Sequence, residues 1–193
     1  MIKVLIMGLP GAGKTTLSIE LIGLLKMNRL SVGYLCADNV RAEANDWDFT
    51  TEGRRRQARR MQIKVNELQG DVVIVDALAA LPESRAAIGA DVLVWMDTTK
   101  TGRYADTLAG FIPPANCDFV VSELNSKKWG AILATHLLNQ IERLTFMQQL
   151  HELAARGSLF KWLPHKASLD KKAAGQRAHI HQVRTDSGQH QHQ

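Results

Sequence analysis

Short apolar runs bounded by turn-forming residues alternate along this chain with longer segments whose apolar positions recur at helical spacing. That alternation predicts a parallel sheet with crossover helices on both faces. Residues 2–7 predict the first strand and 14–27 its helix, and 32–35 a second strand followed by a long polar helix over 51–69. Residues 72–75 predict a third strand closed by Asp76, a short helical stretch follows Pro82, and 92–96 and 119–121 predict the fourth and fifth strands. Residues 129–155 predict a last helix, with Trp129, Ile132, Leu133, Leu137 and Ile141 on one stripe. Beyond Gly157 the periodicity fades, no internal repeat is present, and the residues from Gln189 onward are too polar to fold alone.

The junction between the first strand and its helix carries chemistry. Gly8-Leu9-Pro10-Gly11-Ala12-Gly13-Lys14-Thr15 is a G-x-x-x-x-G-K-T phosphate loop, and its setting between an apolar strand and a helix is the context that makes such a match specific. Gly8, Gly11, Ala12 and Gly13 let consecutive backbone N–H groups curl around an anion, and the helix N-terminus behind them adds its positive dipole end. Lys14 is predicted to reach the β and γ phosphates of ATP, Thr15 to ligate Mg²⁺, and Thr16 to complete the phosphate contacts. The fold class expected is therefore α/β, a P-loop NTPase with a parallel five-stranded sheet.

Composition changes this picture mainly at the C-terminal end. With 193 residues and 45% hydrophobic content, the chain can build one substantial core and an appendage. From Arg156 onward seven basic residues face two acidic ones, a net of +5 that equals the formal charge of the entire chain. We therefore expect a kinase domain over 1–155 and a basic, His- and Gln-rich arm over 156–193, suited to a polyanionic partner. The paired histidines of the arm lack Cys or acidic companions at zinc-site spacing. Cys36 and Cys117 stand far apart and read as buried thiols. No apolar stretch reaches membrane-spanning length, and no secretory leader pattern is present, so a cytoplasmic location is expected.

In an open parallel sheet ligands bind at the carboxyl ends of the strands. That rule brings Asp38, Asp76 and residues 97–103 to the phosphate loop. Asp76 suits a carboxylate that holds Mg²⁺ directly or through water, with a cap or turn as its alternative role. Asp38 is the candidate general base, oriented to take the proton of an acceptor hydroxyl, and it could equally begin a turn. Lys100 and Arg103 fall in the expected lid, where an Arg that closes on the γ-phosphate stabilises charge in the transition state. A GTPase would need an N-K-x-D base-reading motif, which Asn125-Ser126-Lys127-Lys128 does not supply.

Three separated segments resemble the adenylylsulfate kinases. They are Gly8 to Thr16, then Leu35-Cys36-Ala37-Asp38-Asn39-Val40-Arg41, and then Asp48-Phe49 followed by Arg54, Gln57, Arg59 and Arg60. Those enzymes carry G-L-P-G-A-G-K-T-T, L-D-G-D-N-x-R and D-F-x-x-x-x-R-x-x-N-x-R-R. The resemblance covers roughly the first hundred residues and implies a nucleotide-kinase type of P-loop fold that uses ATP and Mg²⁺ to phosphorylate a hydroxyl. It gives Asp38 the catalytic carboxylate role, beside Lys14 and Arg103, and gives Asn39, Arg41, Phe49, Arg54 and Gln57 the acceptor pocket.

The departures fall where the acceptor would be gripped. Cys36-Ala37 stands for the family's Asp-Gly, Gln57 for its Asn, and the segment from Asp76 to Pro82 and the lid region both differ from its pattern. The Arg54-Arg55-Arg56 run with Arg59 and Arg60 charges one helix, although consecutive residues cannot share a face. Arg54 or Arg56, with Arg60, is expected to line a groove suited to repeated phosphates. The combination is similar to the phage DNA kinases that phosphorylate the hydroxymethyl group of 5-hydroxymethyluracil in DNA during thymidine hypermodification. On that resemblance the partner is DNA carrying hydroxymethylated bases, with Phe49 or Tyr104 stacking on an accessible base. The alternatives are an adenylylsulfate kinase making 3'-phosphoadenylylsulfate, and a non-catalytic ATP-binding module.

Overall fold

The computed structural model describes residues 1–99 and 110–156. The expected lid residues Lys100, Arg103 and Tyr104, and the arm from Gly157 onward, lie outside them. The chain divides into two compact units, 1–141 and 142–193.

The first unit is built on strands β1 (Ile2–Gly8), β2 (Val32–Cys36), β3 (Val72–Ala77), β4 (Val92–Met96) and β5 (Phe119–Val121). Its helices are α1 (Lys14–Met27), α2 (Ala37–Glu43), α3 (Thr51–Glu67), α4 (Pro82–Ile88) and the start of α5 (Ser126–Ala155). All strand pairs are parallel, in the order β2-β3-β1-β4-β5. The strand pleat sorts the core into two layers. Val4, Ile6, Val72, Ile74, Val92 and Val94 pack with Leu17, Leu21 and Leu25 of α1 and Leu133 and Leu137 of α5. Leu5, Met7, Val73 and Val75 pack on the other face with Val40 of α2, Met61 and Val65 of α3 and Ile88 of α4. Helices therefore cover both faces, as the sequence pattern predicts. The described residues of the second unit continue α5, with Leu144, Phe146, Met147 and Leu153 exposed.

Four expectations are corrected. The segment after β2 is a seven-residue helix, α2, and not a turn. It is too short for a 3.6-residue period to show, and only Val40 and Arg41 are buried on it. Ile132 is exposed, because the buried stripe of α5 is carried by Gly130, Leu133, Ala134 and Leu137. Cys36 and Cys117 are partly exposed, not buried. Asp76 lies inside β3, paired in register with Ile6 of β1 and Cys36 of β2, so its position is set by the sheet and not by a cap or turn.

Gly8 shows why the phosphate loop begins where it does. Its φ is +150°, and a methyl there would lie 2.6 Å from the Met96 carbonyl oxygen. The strand end can pass β4 this closely only without a side chain. Gly13, at φ +88°, then turns the chain into the first turn of α1.

Candidate active site

The phosphate loop spans the carboxyl end of β1, next to β3 on one side and β4 on the other. The Ala12 N–H donates to the Leu9 carbonyl at 3.1 Å, and the Thr98 hydroxyl donates to the Ala12 carbonyl at 2.8 Å, so the loop after β4 holds the cradle in shape. Gly11 is exposed, with φ +82°. Lys14 curls over the loop and donates from Nζ to the Leu9 carbonyl at 3.2 Å. Burial pulls the Lys14 ammonium below its ordinary pKa, while the charges of Asp76 and Asp38 push it back up. An ammonium this poorly solvated gains strongly from an incoming phosphate.

Asp76 is buried and accepts from the Thr15 hydroxyl at 2.5 Å and from the Tyr34 hydroxyl at 3.4 Å. Burial raises its carboxyl above the ordinary range, opposed by the Thr15 hydrogen bond and the Lys14 charge. Tyr34 is likewise pushed up, first by burial and then by Asp76. The Thr15 and Asp76 oxygens form a pair of hard donors, which fits Mg²⁺. No cluster of three or more His, Cys, Asp or Glu side chains is present among the described residues. The arrangement thus suits a metal completed by phosphate oxygens and water, and not an all-protein cage.

Beside this cluster opens a cavity of about 870 Å³. Lys14, Asp38 and Asp76 line it together with Arg41, Phe49, Arg54 and Gln57, and its floor is largely apolar, with Met61, Leu78, Leu81 and Ile88 among the contributors. The structure therefore brings together every described candidate of the catalytic and acceptor sets except Asn39, which is exposed on α2 and does not line the cavity. Asp38 is exposed, and its charge acts on both Lys14 and Asp76.

The acceptor side of the cavity is cationic. Arg41 is 7% exposed, and its Nη1 donates to the carbonyls of Asp46 and Asp48, each at 3.0 Å. Its guanidinium lies 4.7 Å from the centre of the Phe49 ring. Burial lowers its pKa, and no carboxylate lies within ion-pair distance of it among the described residues. Arg54 Nε donates to the Phe49 carbonyl at 2.9 Å. Gln57 is buried, and its Nε2 donates to the Ala37 carbonyl at 2.9 Å.

The arginine groove expected along α3 is corrected. Arg56 and Arg60 point into the loop before the helix, where Asp46 takes Arg56 Nε at 3.1 Å and Arg60 Nη2 at 2.8 Å, and Asp48 takes Arg56 Nη2 at 2.8 Å. Only Arg54 of the five lines the cavity; Arg55 pairs with Glu52 on the surface, and Arg59 is exposed. The signal was present in Asp46 and Asp48, acids in the loop just before the helix that carries Arg56 and Arg60, and only the fold reveals their pairing. Gly53 makes the close packing possible, because a methyl there would collide with the Asp48 carbonyl.

These ion pairs have a pH signature. Hydrogen bonds from Arg56 and Arg60 hold the Asp46 carboxyl well below the ordinary range. A depressed carboxyl contributes stability that is present above its unfolded pKa and lost as pH falls toward the folded value. Asp46→Asn is therefore expected to lower Tm by roughly a few degrees at pH near 7, with the gap from the unaltered protein closing as pH falls below about 4. Thermal melts across that range check it, and a gap that widens in acid contradicts the assignment.

A second cavity of about 250 Å³ abuts the C-terminal end of the loop. Gly13, Thr16, Met96, Leu124, Asn125 and Trp129 are among its lining residues. Of the expected phosphate contacts, Thr16 is exposed and faces this cavity. The sequence places Trp129 only on the stripe of the last helix and gives no sign of Leu124, because nothing local ties the residues around the start of α5 to a loop more than a hundred residues earlier.

A five-stranded parallel sheet in the order 2-3-1-4-5, with the phosphate loop after its central strand and a carboxylate on the adjacent one, decides the fold class. The chain has the fold of a P-loop nucleotide kinase. The APS kinase CysC of Mycobacterium tuberculosis superposes with a TM-score of 0.57 at 26% identity, over 72% of this chain and 96% of that one. The same enzyme in complex with AMPPNP and APS gives 0.59 at 24%, over 72% and 97%. A gluconokinase from Sinorhizobium meliloti gives 0.53 at 14%, over 76% and 97%. A family model described as chromatin associated protein KTI12 matches residues 1–85, the stretch from the phosphate loop through the acceptor-side residues. No match is found among curated proteins. The P-loop kinase neighbours support a phosphotransferase, and among the described residues no helix is long and apolar enough to cross a membrane.

Proposed function

We propose that this chain transfers the γ-phosphoryl group of ATP to a hydroxyl held in the 870 Å³ cavity. The observation that carries the reading is convergence: Lys14, Asp38 and Asp76 line one cavity with Arg41, Phe49, Arg54 and Gln57. Phosphoryl transfer asks mainly for placement and charge neutralisation. The loop amides and Lys14 grip the donor, and Asp38 orients the acceptor hydroxyl and takes its proton. Thr15 and Asp76 would hold Mg²⁺, which neutralises phosphate charge when bound. Arg41, which donates to two carbonyls and has no carboxylate at ion-pair distance among the described residues, offers its charge to an anionic acceptor.

The acceptor we favour is the hydroxymethyl group of 5-hydroxymethyluracil in DNA. The basic composition of the arm and the replacement of the family's acceptor-side residues at Cys36, Ala37 and Gln57 support it. The second reading is adenylylsulfate, favoured by the Arg41 and Phe49 pairing and by likeness to an enzyme solved with APS. Incubation with γ-labelled ATP and hydroxymethyluracil DNA, ordinary DNA or adenylylsulfate separates the readings. Label in the first acceptor alone is the expected result. Label in the third alone restores the sulfate-activating reading, and label in none of them favours a binding module.

A further inference from the structure

Two aromatic side chains stand exposed at the acceptor cavity on a frame that keeps them there. Trp47 is 52% exposed and Phe49 53%, and both line the cavity. The residues around them are fixed: Asp46 by Arg56 and Arg60, Asp48 by Arg56, and the carbonyls of both by Arg41. The Thr50 N–H donates to Asp48 Oδ1 at 2.9 Å, and Arg54 holds the Phe49 carbonyl. The segment before α3 is thus a braced strap, and the exposure of its rings is built in. Apolar rings held out on a rigid frame mark a surface that a ligand covers.

The chemistry of that ligand follows from what surrounds the rings. The Arg41 guanidinium sits against the Phe49 ring, and Arg54 adds a second cation at the cavity wall. Gln57, also on the wall, has its Oε1 buried without a hydrogen-bond partner among the described residues, leaving an acceptor for an N–H or O–H. Flat faces, cations and a lone acceptor together suit a nucleobase on a phosphate backbone. A base within a duplex has both faces covered and its N–H edge paired, so it cannot use these groups until it leaves the stack. An already single-stranded base avoids most of that cost.

We propose that Trp47, with Phe49, is a stacking platform for an unpaired base of a single-stranded polynucleotide, and that Trp47 makes the site discriminate against duplex. The proposal rests on the reading that the acceptor is a nucleotide in a strand. It adds a residue outside the family-like motif and a strand preference.

The test uses the full chain and end-labelled oligonucleotides of ordinary thymidine, free or annealed to their complement, read by fluorescence anisotropy at matched phosphate concentration and salt. Thymidine monophosphate is added as a competitor. The expected result is single-strand binding at least about tenfold tighter than duplex binding, with the monophosphate a weak competitor. Trp47→Ala weakens single-strand binding by about tenfold to a hundredfold, Trp47→Phe by a few-fold at most, and neither lowers Tm because the ring is exposed. Equal affinity for duplex, or an unchanged affinity in Trp47→Ala, overturns the proposal. Competition by the monophosphate at concentrations matching the strand overturns its polynucleotide part. Because the probe carries no hydroxymethyl group, the acceptor reading fails separately: Trp47-dependent binding without phosphorylation of hydroxymethyluracil DNA sinks that reading alone.

Discussion

Replacing Lys14 with Gln is expected to lower kcat by about a thousandfold or more, with the protein still folded. Lys14 is partly desolvated, its ammonium destabilised by burial and supported by the carboxylates of Asp76 and Asp38, and its Nζ donates to the Leu9 carbonyl. A neutral amide can keep that bond. It cannot supply the charge that balances the β and γ oxygens as the phosphoryl group leaves, which is where the loss in rate arises. Thermal stability should hold or rise, since a desolvated cation is removed from the site. Turnover at saturating ATP, measured beside a melting curve, separates this from unfolding. A fully active Lys14→Gln would mean that the loop does not hold the reacting nucleotide.

Asp38→Asn is expected to lower kcat by about a hundredfold to ten-thousandfold, the usual span for a positioned acid–base group, and to leave KM for ATP nearly unchanged. Asp38 is exposed on α2 and lines the cavity beside Lys14, outside both core layers, so its replacement removes chemistry and little packing. The split matters because a residue that only stabilised α2 would change Tm and both kinetic constants together. A loss confined to KM would move Asp38 from proton acceptor to acceptor binding.

The sheet and the phosphate loop were legible because their signals are local. Val4 to Met7 and Val72 to Val75 are continuous apolar runs, as strands covered on both faces must be, and the loop's glycines are fixed by backbone geometry. The rule that ligands sit at the carboxyl ends of parallel strands leads from the sequence to Asp76 as a neighbour of the loop, and the Thr15 hydroxyl does donate to it. What failed to show was non-local or short. α2 spans too few residues for a period, the Asp46 pairs with Arg56 and Arg60 depend on the angle at which the strap enters α3, and Trp47 looks like any surface aromatic until Phe49 and Arg54 line the same cavity. The Arg54-Arg55-Arg56 run taught the opposite lesson: a charge cluster conspicuous in sequence is divided by the helix among three different environments.

The most direct test of phosphoryl transfer through this site is a single-turnover reaction of a hydroxymethyluracil oligonucleotide with ATP labelled at either the γ or the α phosphate. The account predicts label in the oligonucleotide from γ-labelled ATP only, at a rate reduced by about a thousandfold in Lys14→Gln. Label arriving from the α phosphate, or transfer at an undiminished rate without the Lys14 ammonium, would contradict it.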